Sequence, residues 1–304
     1  ALGRVLTLVP NRKFEATGRV AHDVGLVARN ELGRRAFARD NAAFVWSYYL
    51  RFALLAFGGT RRRQLDHVRV LGESHLTAAH AHGRGLILLS VHLGDFDAAG
   101  AWLAERRGIT PVVTARPIRP AWRETTFTRV RRRCGVVVRD ARVTRLEDLE
   151  TDLGQRRAVL VMLDRRPAGR TITSRILGRT AVVPRGIADL AVRTRAPLIP
   201  TATWRDRDGF TVAWFGAPAV MADESAAATQ LVAVASQLSE VIRMHPVQWH
   251  IPTDLREMAW SSEPSGVGPV LGSRIAARQT TSVAQVASPP SASPATAPAR
   301  RMSR

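Results

Sequence analysis

The spacing of apolar positions divides the chain into stretches of different character. Residues 20–57, VAHDVGLVARNELGRRAFARDNAAFVWSYYLRFALLAF, carry apolar residues at helical intervals without a proline, which predicts helix. After the Gly58-Gly59 break a second helical pattern runs through residues 61–83, RRRQLDHVRVLGESHLTAAHAHG. From Gly85 onward the pattern changes to short continuous apolar runs at 86–91 (LILLSV), 111–115, 136–138, 158–163, 197–204 and 211–215. Helix-like segments at 96–107, 121–133 and 144–156 lie between them, and a last one covers 224–244. Short buried strands alternating with helices predict an α/β fold, a mixed, largely parallel sheet flanked by helices and preceded by an N-terminal helical region. There is no internal repeat.

The end of the chain differs in composition. Residues 263–304 are rich in Ser, Pro, Ala and Thr, lack Trp, Phe and Tyr, and include SPPSASPATAPARR. Such a segment buries too little apolar surface to offset its ordering entropy and is expected to be a disordered tail. The folded body is expected over 1–262, with a helical part at 1–82 and an α/β part at 83–262.

Charge sharpens this division. The formal net charge is +20, and 44 of the 45 basic residues are arginine, Lys13 being the exception. Five arginines against Glu263 put +4 in the tail, so residues 1–262 keep +16. A surface this basic attracts phosphates, whether of nucleic acid or of anionic lipid. Basic residues are not interleaved with aromatics as in a nucleic-acid module, so no nucleic-acid partner is expected. The single cysteine excludes a disulfide framework and any multi-cysteine metal site, and no metal is expected. No apolar run approaches the roughly 20 residues of a spanning helix. The chain starts at Ala1 rather than Met, which leaves an upstream segment or a removed signal open.

The most informative segment for chemistry is SVHLGDFDAAGAW, where His92 directly follows the run LILLSV and a helix is expected from about Asp95. Ligands in open α/β folds bind at the carboxyl ends of strands. With His92 in the turn and Asp97 in the first helical turn, the two side chains are expected to converge. The carboxylate would then fix the imidazole tautomer and leave the other nitrogen as a general base. Asp95 reads as the helix N-cap, and Asp97 alternatively as a carboxylate favouring the helix N-terminus.

Five segments in order carry a resemblance. HLGDFD (92–97), RVRRRCG (129–135), VLVMLDRRPAGR (159–170), ILGRTAVVPRGIADLAVRTRAPLIPTATW (176–204) and HPVQWH (245–250) resemble the acyltransferase family of bacterial lipid A acyltransferases and actinobacterial phosphatidylinositol mannoside acyltransferases, closest to the mannoside branch. The resemblance covers most of residues 1–255, without the upstream end of the family's N-terminal helices. Departures are Ile176-Leu177 in place of an aromatic pair, Asp164 in place of Glu, and IPTDLRE after Trp249 in place of an aromatic ending. The Glu-Gly-Thr-Arg phosphate motif of related glycerolipid acyltransferases is missing from the sequence.

The resemblance implies transfer of a fatty acyl group from acyl-CoA, a co-substrate with no bound cofactor, to a hydroxyl of a membrane glycolipid, a mannose of phosphatidylinositol mannoside foremost. His92 and Asp97 would be catalytic. Arg131 would contact phosphate, the acceptor or the acyl carbonyl region, and Asp164 the acceptor hydroxyls; Arg116, in ARPIRP, is a candidate from its own loop position for the co-substrate phosphate. By residue type alone, Arg131 reads as part of a solvated helix face, Asp164 as a local ion pair and Arg116 as loop decoration. An apolar groove would hold the acyl chain. The implied location is peripheral, on the cytoplasmic face of the cell membrane, attached to its anionic surface. Residues 44–59, FVWSYYLRFALLAFGG, read either as a buried helix or as an interfacial one with Trp46, Tyr48 and Tyr49 at headgroup depth. Another lipid acceptor, or a catalytically silent membrane-binding relative, stays open. Cys134 is expected as a small buried hydrophobe, His245 and His250 as packing and capping groups, and His75, His80 and His82 as helix-surface groups.

Overall fold

A computed structural model describes residues 12–27, 30–116, 120–252 and 258–260. The expected tail at 263–304, and most of IPTDLRE, lie outside the described residues. Helix α1 (Arg12–Asp23) and the long α2 (Glu31–Leu54) precede α3 (Gly58–Asp66). The continuous helical pattern of 20–57 is thus interrupted: Gly25 takes φ +72°, and Asn30 starts α2 afresh by accepting the Gly33 amide through its side chain.

The second expected helical stretch contains a strand. β1 (Val68–Leu71) separates α3 from α4 (Glu73–Ala81), so the part before residue 83 is not purely helical. The remaining elements are β2 (Leu86–Ser90), α5 (Phe96–Arg107), β3 (Pro111–Ala115), α6 (Ala121–Arg133), β4 (Val137–Asp140), α7 (Leu146–Gly154), β5 (Ala158–Met162), β6 (Thr171–Ile176), β7 (Arg179–Pro184), α8 (Arg185–Thr194), β8 (Leu198–Arg205), β9 (Thr211–Phe215) and α9 (Glu224–Met244). A short 3₁₀ turn, Pro246–Gln248, follows.

Seven strands form one sheet in the order β1-β9-β8-β2-β5-β3-β4. Only β8 and β9 pair antiparallel; the other neighbours are parallel. The expected mixed, largely parallel sheet flanked by helices is what the chain forms. β2 lies between β8 and β5 and is buried at all five positions, as its unbroken apolar sequence requires. Leu86 and Leu88 join Tyr48, Phe52, Leu55, Leu76, Trp102 and Ile199 in a core beneath α2–α5. On the opposite side α9 packs on β8 and α8, and α7 on β5.

The hairpin β6–β7 stands apart from this sheet, in a segment where the apolar runs predict no strand. Its two-residue turn is Leu177-Gly178, with φ +54° and +82°, the signs of a type I′ turn that matches strand twist. Leu177 is buried there and its amide donates to Ser239 Oγ at 3.1 Å.

Candidate active site

The register Ser90↔Met162 brings the carboxyl ends of β2 and β5 side by side, and β3 ends at the same edge of the sheet. Arg116 follows β3 directly, and His92 and Asp164 come after one intervening residue past the ends of β2 and β5. The edge is where parallel strands leave backbone groups and side chains pointing into loops.

His92 faces Asp164. Its ring Nδ1 lies 2.9 Å from Asp164 Oδ1, and its backbone amide donates to the same oxygen at 3.2 Å. A carboxylate only accepts, so Nδ1 carries the proton and Nε2 is the free, basic nitrogen. No hydrogen bond joins Nε2 to any of the described residues, and the ring keeps 26% of its side-chain surface exposed. Burial and the nearby Arg165 pull the imidazole below its ordinary value, against the raising influence of Asp164. It is therefore neutral at neutral pH.

Asp164 is wholly buried. Burial alone would raise its carboxyl, but Arg165, His92 and Trp249 outweigh it and hold the group well below the usual carboxylate range. Oδ2 accepts from Arg165 Nη1 at 2.8 Å and from the Trp249 indole at 3.0 Å. Both carboxylate oxygens thus bond protein donors, Oδ1 the His92 ring and amide and Oδ2 Arg165 and Trp249.

Asp97 is bonded elsewhere. Oδ1 accepts from Arg131 Nε at 2.7 Å, and Oδ2 from Arg131 Nη2 at 3.2 Å and from the Tyr48 hydroxyl. The carboxylate on His92 is Asp164, not Asp97: His92 sits in the turn with its ring aimed across the sheet at β5, while Asp97, one helical turn on, points toward α2 and α6. Arg131 is accordingly a partly buried partner of Asp97 rather than a solvated residue of an arginine run. Tyr48 is buried as well, so it does not lie at headgroup depth; burial and the Asp97 charge keep its phenol protonated far above the ordinary range. Arg116 is exposed, with Nη2 donating to the Arg166 carbonyl at 3.2 Å.

Asp95 occupies the N-cap position of α5 but makes no capping bond through its side chain. Instead Arg51 grips it with Nε and Nη2, at 2.9 and 2.7 Å, and Arg205 and Thr211 add bonds at 3.1 and 3.2 Å. The preceding Gly94 has φ +63°, and a side chain there would collide with the Thr203 carbonyl and the Trp204 backbone, so only glycine lets the His92 loop lie this close to β8. Arg51, Arg165, Arg205, Tyr48 and Trp249 belong to this region without having been singled out as site residues. HPVQWH was the one signal that could have flagged Trp249.

Of the other expectations, Cys134 is buried with its thiol pushed up to about 11 by burial, an inert hydrophobe. His245 caps α9 and stacks on Trp204 with ring centroids 4.8 Å apart. His75 contacts the Phe215 carbonyl through Nδ1 at 3.0 Å. No cluster of potential metal ligands occurs among the described residues. Two cavities, about 390 and 320 Å³, are lined by Gly83, Arg84, Glu150, Gly154 and Thr194 and by residues around Arg185 and Asp189; neither touches the His92 region. No helix among the described residues is long and apolar enough to cross a membrane.

The family described as bacterial lipid A biosynthesis acyltransferase matches residues 25–252. Phosphatidylinositol mannoside acyltransferase of Mycobacterium tuberculosis is 33% identical over 192 residues, 62% of this chain and 60% of that one. The protein of the same name from Mycolicibacterium smegmatis is 29% identical over 213 residues, 67% of this chain and 68% of that one. The chain thus spans about 60% of the length of the first of these relatives. Among solved structures, the 1-acyl-sn-glycerophosphate acyltransferase of Thermotoga maritima covers 78% of this chain and 97% of its own, at 13% identity and a TM-score of 0.35, too distant a likeness to bear on the chemistry.

Proposed function

The chain belongs to the bacterial lipid A biosynthesis acyltransferase family, and from that premise we propose that it transfers a fatty acyl group from acyl-CoA to a hydroxyl of a membrane glycolipid, a mannose of a phosphatidylinositol mannoside foremost. The observation that carries the reading is His92, neutral, with Nδ1–H bonded to a buried ionised Asp164 and Nε2 without a bond to the described residues. A base needs that combination: a fixed tautomer, a free lone pair, and a counter-charge for the imidazolium that forms.

In this mechanism Nε2 of His92 takes the proton of the acceptor hydroxyl as its oxygen attacks the thioester carbonyl carbon. Asp164 stays ionised and balances the imidazolium. The tetrahedral intermediate collapses, the carbon–sulfur bond breaks, and the coenzyme A thiolate leaves with the proton returned by His92. Arg116, exposed at the same strand edge, is suited to the phosphates of the co-substrate. Arg131, paired with Asp97, braces α5 against α6 and contributes positive potential near the base.

The acceptor and the acyl-CoA place the enzyme at the cytoplasmic face of the cell membrane as a peripheral protein. Trp46, Tyr49, Leu50 and Phe57 are exposed on and just after α2, and Trp122 is exposed on α6. Aromatic and apolar side chains on a strongly basic protein suit the boundary of an anionic leaflet.

The test is acyl transfer from radiolabelled palmitoyl-CoA to a panel of membrane glycolipids, wild type beside His92→Ala. Transfer to a mannosylated phosphatidylinositol, lost in the variant, supports the whole reading. Transfer to another lipid moves the acceptor and keeps the chemistry. No transfer from a folded, vesicle-binding protein overturns it in favour of a silent membrane binder.

A further inference from the structure

The segment His245–His250 has no part in the chemistry above, yet it lies against the loop that bears the base. Leu93 and Trp249 form an antiparallel bridge. Around it the His250 amide donates to the His92 carbonyl at 2.8 Å, the Gly94 amide donates to the Gln248 carbonyl at 3.1 Å, and His250 Nε2 contacts the Gly94 carbonyl at 2.9 Å. The strap is itself tied down: Asn41 Nδ2 on α2 donates to the Val247 and Trp249 carbonyls at 2.9 and 2.7 Å. Trp249 is completely buried, and its indole spends its one donor on Asp164 Oδ2 at 3.0 Å.

From this geometry we infer that Trp249 is a positioning residue for His92, acting through Asp164, and that the strap is the second wall of the catalytic loop. The inference rests on His92 being the base. A carboxylate opposite an imidazole can rotate or offer either oxygen. Here the indole N–H and Arg165 Nη1 both hold Oδ2, which leaves Oδ1 for Nδ1 and for the His92 amide. The backbone bonds of the strap fix where the His92 Cα lies, and the indole fixes where its partner points. Neither Trp249 nor the strap need touch a substrate.

Groups facing His92 are Asp164 and Arg165 from the β5 loop, Arg131 from α6, and His250 from the strap. Replacing the indole by phenyl leaves these charges in place and keeps an aromatic ring in the site. It takes one donor from Asp164, so the carboxylate turns more of its charge on His92 and loses its fixed orientation. Trp249→Phe should therefore raise the imidazole's apparent pKa, mix its tautomers and lower kcat by up to about a hundredfold at unchanged KM.

The test uses the full chain with ¹⁵N-labelled histidine and tryptophan, read by ring nitrogen and indole N–H resonances over pH 4–8, beside acyl-transfer kinetics. In the wild type, His92 should show the Nδ1–H tautomer alone, and the Trp249 indole resonance should move as His92 titrates, because both sit on one carboxylate. In Trp249→Phe the tautomer ratio and titration midpoint of His92 should change. An indole resonance blind to the His92 titration overturns the inference even if the variant does not fold. So does a folded variant with the wild-type tautomer, midpoint and kcat. If neither protein transfers acyl groups while His92 still responds to the substitution, the proposed reaction fails and the positioning role stands.

Discussion

Arg131 Nε donates to Asp97 Oδ1 at 2.7 Å, joining the start of α5 to the end of α6, and the Tyr48 hydroxyl of α2 donates to the other carboxylate oxygen. Three helices are thus tied at one partly buried carboxylate, next to the loop that holds His92. Removing one member of a buried, hydrogen-bonded ion pair strands the other charge. Arg131→Ala should destabilise the protein by about 3 kcal/mol. Tyr48→Phe, which removes one bond to a charged group, should cost about 1.5 kcal/mol. Urea unfolding of both variants measures this; stabilities within experimental error of the wild type would show that the tie has no structural weight.

Gly94 makes a second, independent demand. Gly94→Ala puts a side chain at φ +63° against the Thr203 carbonyl and Trp204 backbone, and should lower stability by at least about 2 kcal/mol while abolishing acyl transfer. Thermal unfolding and an activity assay on the same preparation check both halves.

Acid should weaken the fold before the carboxylates titrate. Burial pulls His250 down to about 4 in the folded chain, whereas an unfolded histidine titrates near about 6.5. Between those values the unfolded chain binds the proton and the native chain does not. The stabilising contribution is complete above about pH 6.5 and is lost as pH falls toward 4, on the order of 3 kcal/mol for a group this buried. His92 and His245, both lowered chiefly by burial, act in the same direction. Asp164, held below the usual carboxylate range, adds its loss only below about pH 4. Urea midpoints at pH 7.5 and 4.5 should differ accordingly, and less so in His250→Gln.

Neighbouring tyrosines should separate membrane attachment from folding. Tyr49 is exposed beside Trp46 and Leu50, whereas Tyr48 is buried on Asp97. A triple Trp46→Ala, Tyr49→Ala, Leu50→Ala variant should lose most sedimentation with vesicles containing anionic lipid, with unfolding midpoints close to wild type. Tyr48→Phe should bind vesicles normally. Retained sedimentation of the triple variant would remove α2 from the membrane contact.

The parts of the fold legible from the sequence share one property: they announce themselves locally. β2 is buried on both faces and therefore reads as an unbroken apolar run, and α5, α6 and α9 lie over the segments expected of them. β1 is only four residues, VRVL, between two helices, and it is a strand because β9, more than 140 residues away, pairs with it. β6 alternates exposed and more buried positions, with Thr171, Thr173 and Arg175 outward and the polar Ser174 among the inward ones, too polar a pattern to stand out. The site divides the same way. His92 and Asp164 both stand out in the sequence, yet spacing favours the nearer carboxylate, because which way a side chain points across a strand edge is set by tertiary packing. Asp95 looked like a cap, but its partners Arg51 and Arg205 lie 44 and 110 residues away.

The pairing of His92 with Asp164 rather than Asp97 is tested most directly by the steady-state kinetics of Asp164→Asn at saturating acyl-CoA and acceptor. Arg165 and Trp249 would hold the amide oxygen at the Oδ2 position and turn its NH₂ toward His92 Nδ1. That would shift the imidazole proton to Nε2, where it blocks the base. A fall in kcat of about a thousandfold or more, with KM for both substrates nearly unchanged and the fold intact, is the expected result. A kcat within about threefold of wild type would contradict the account.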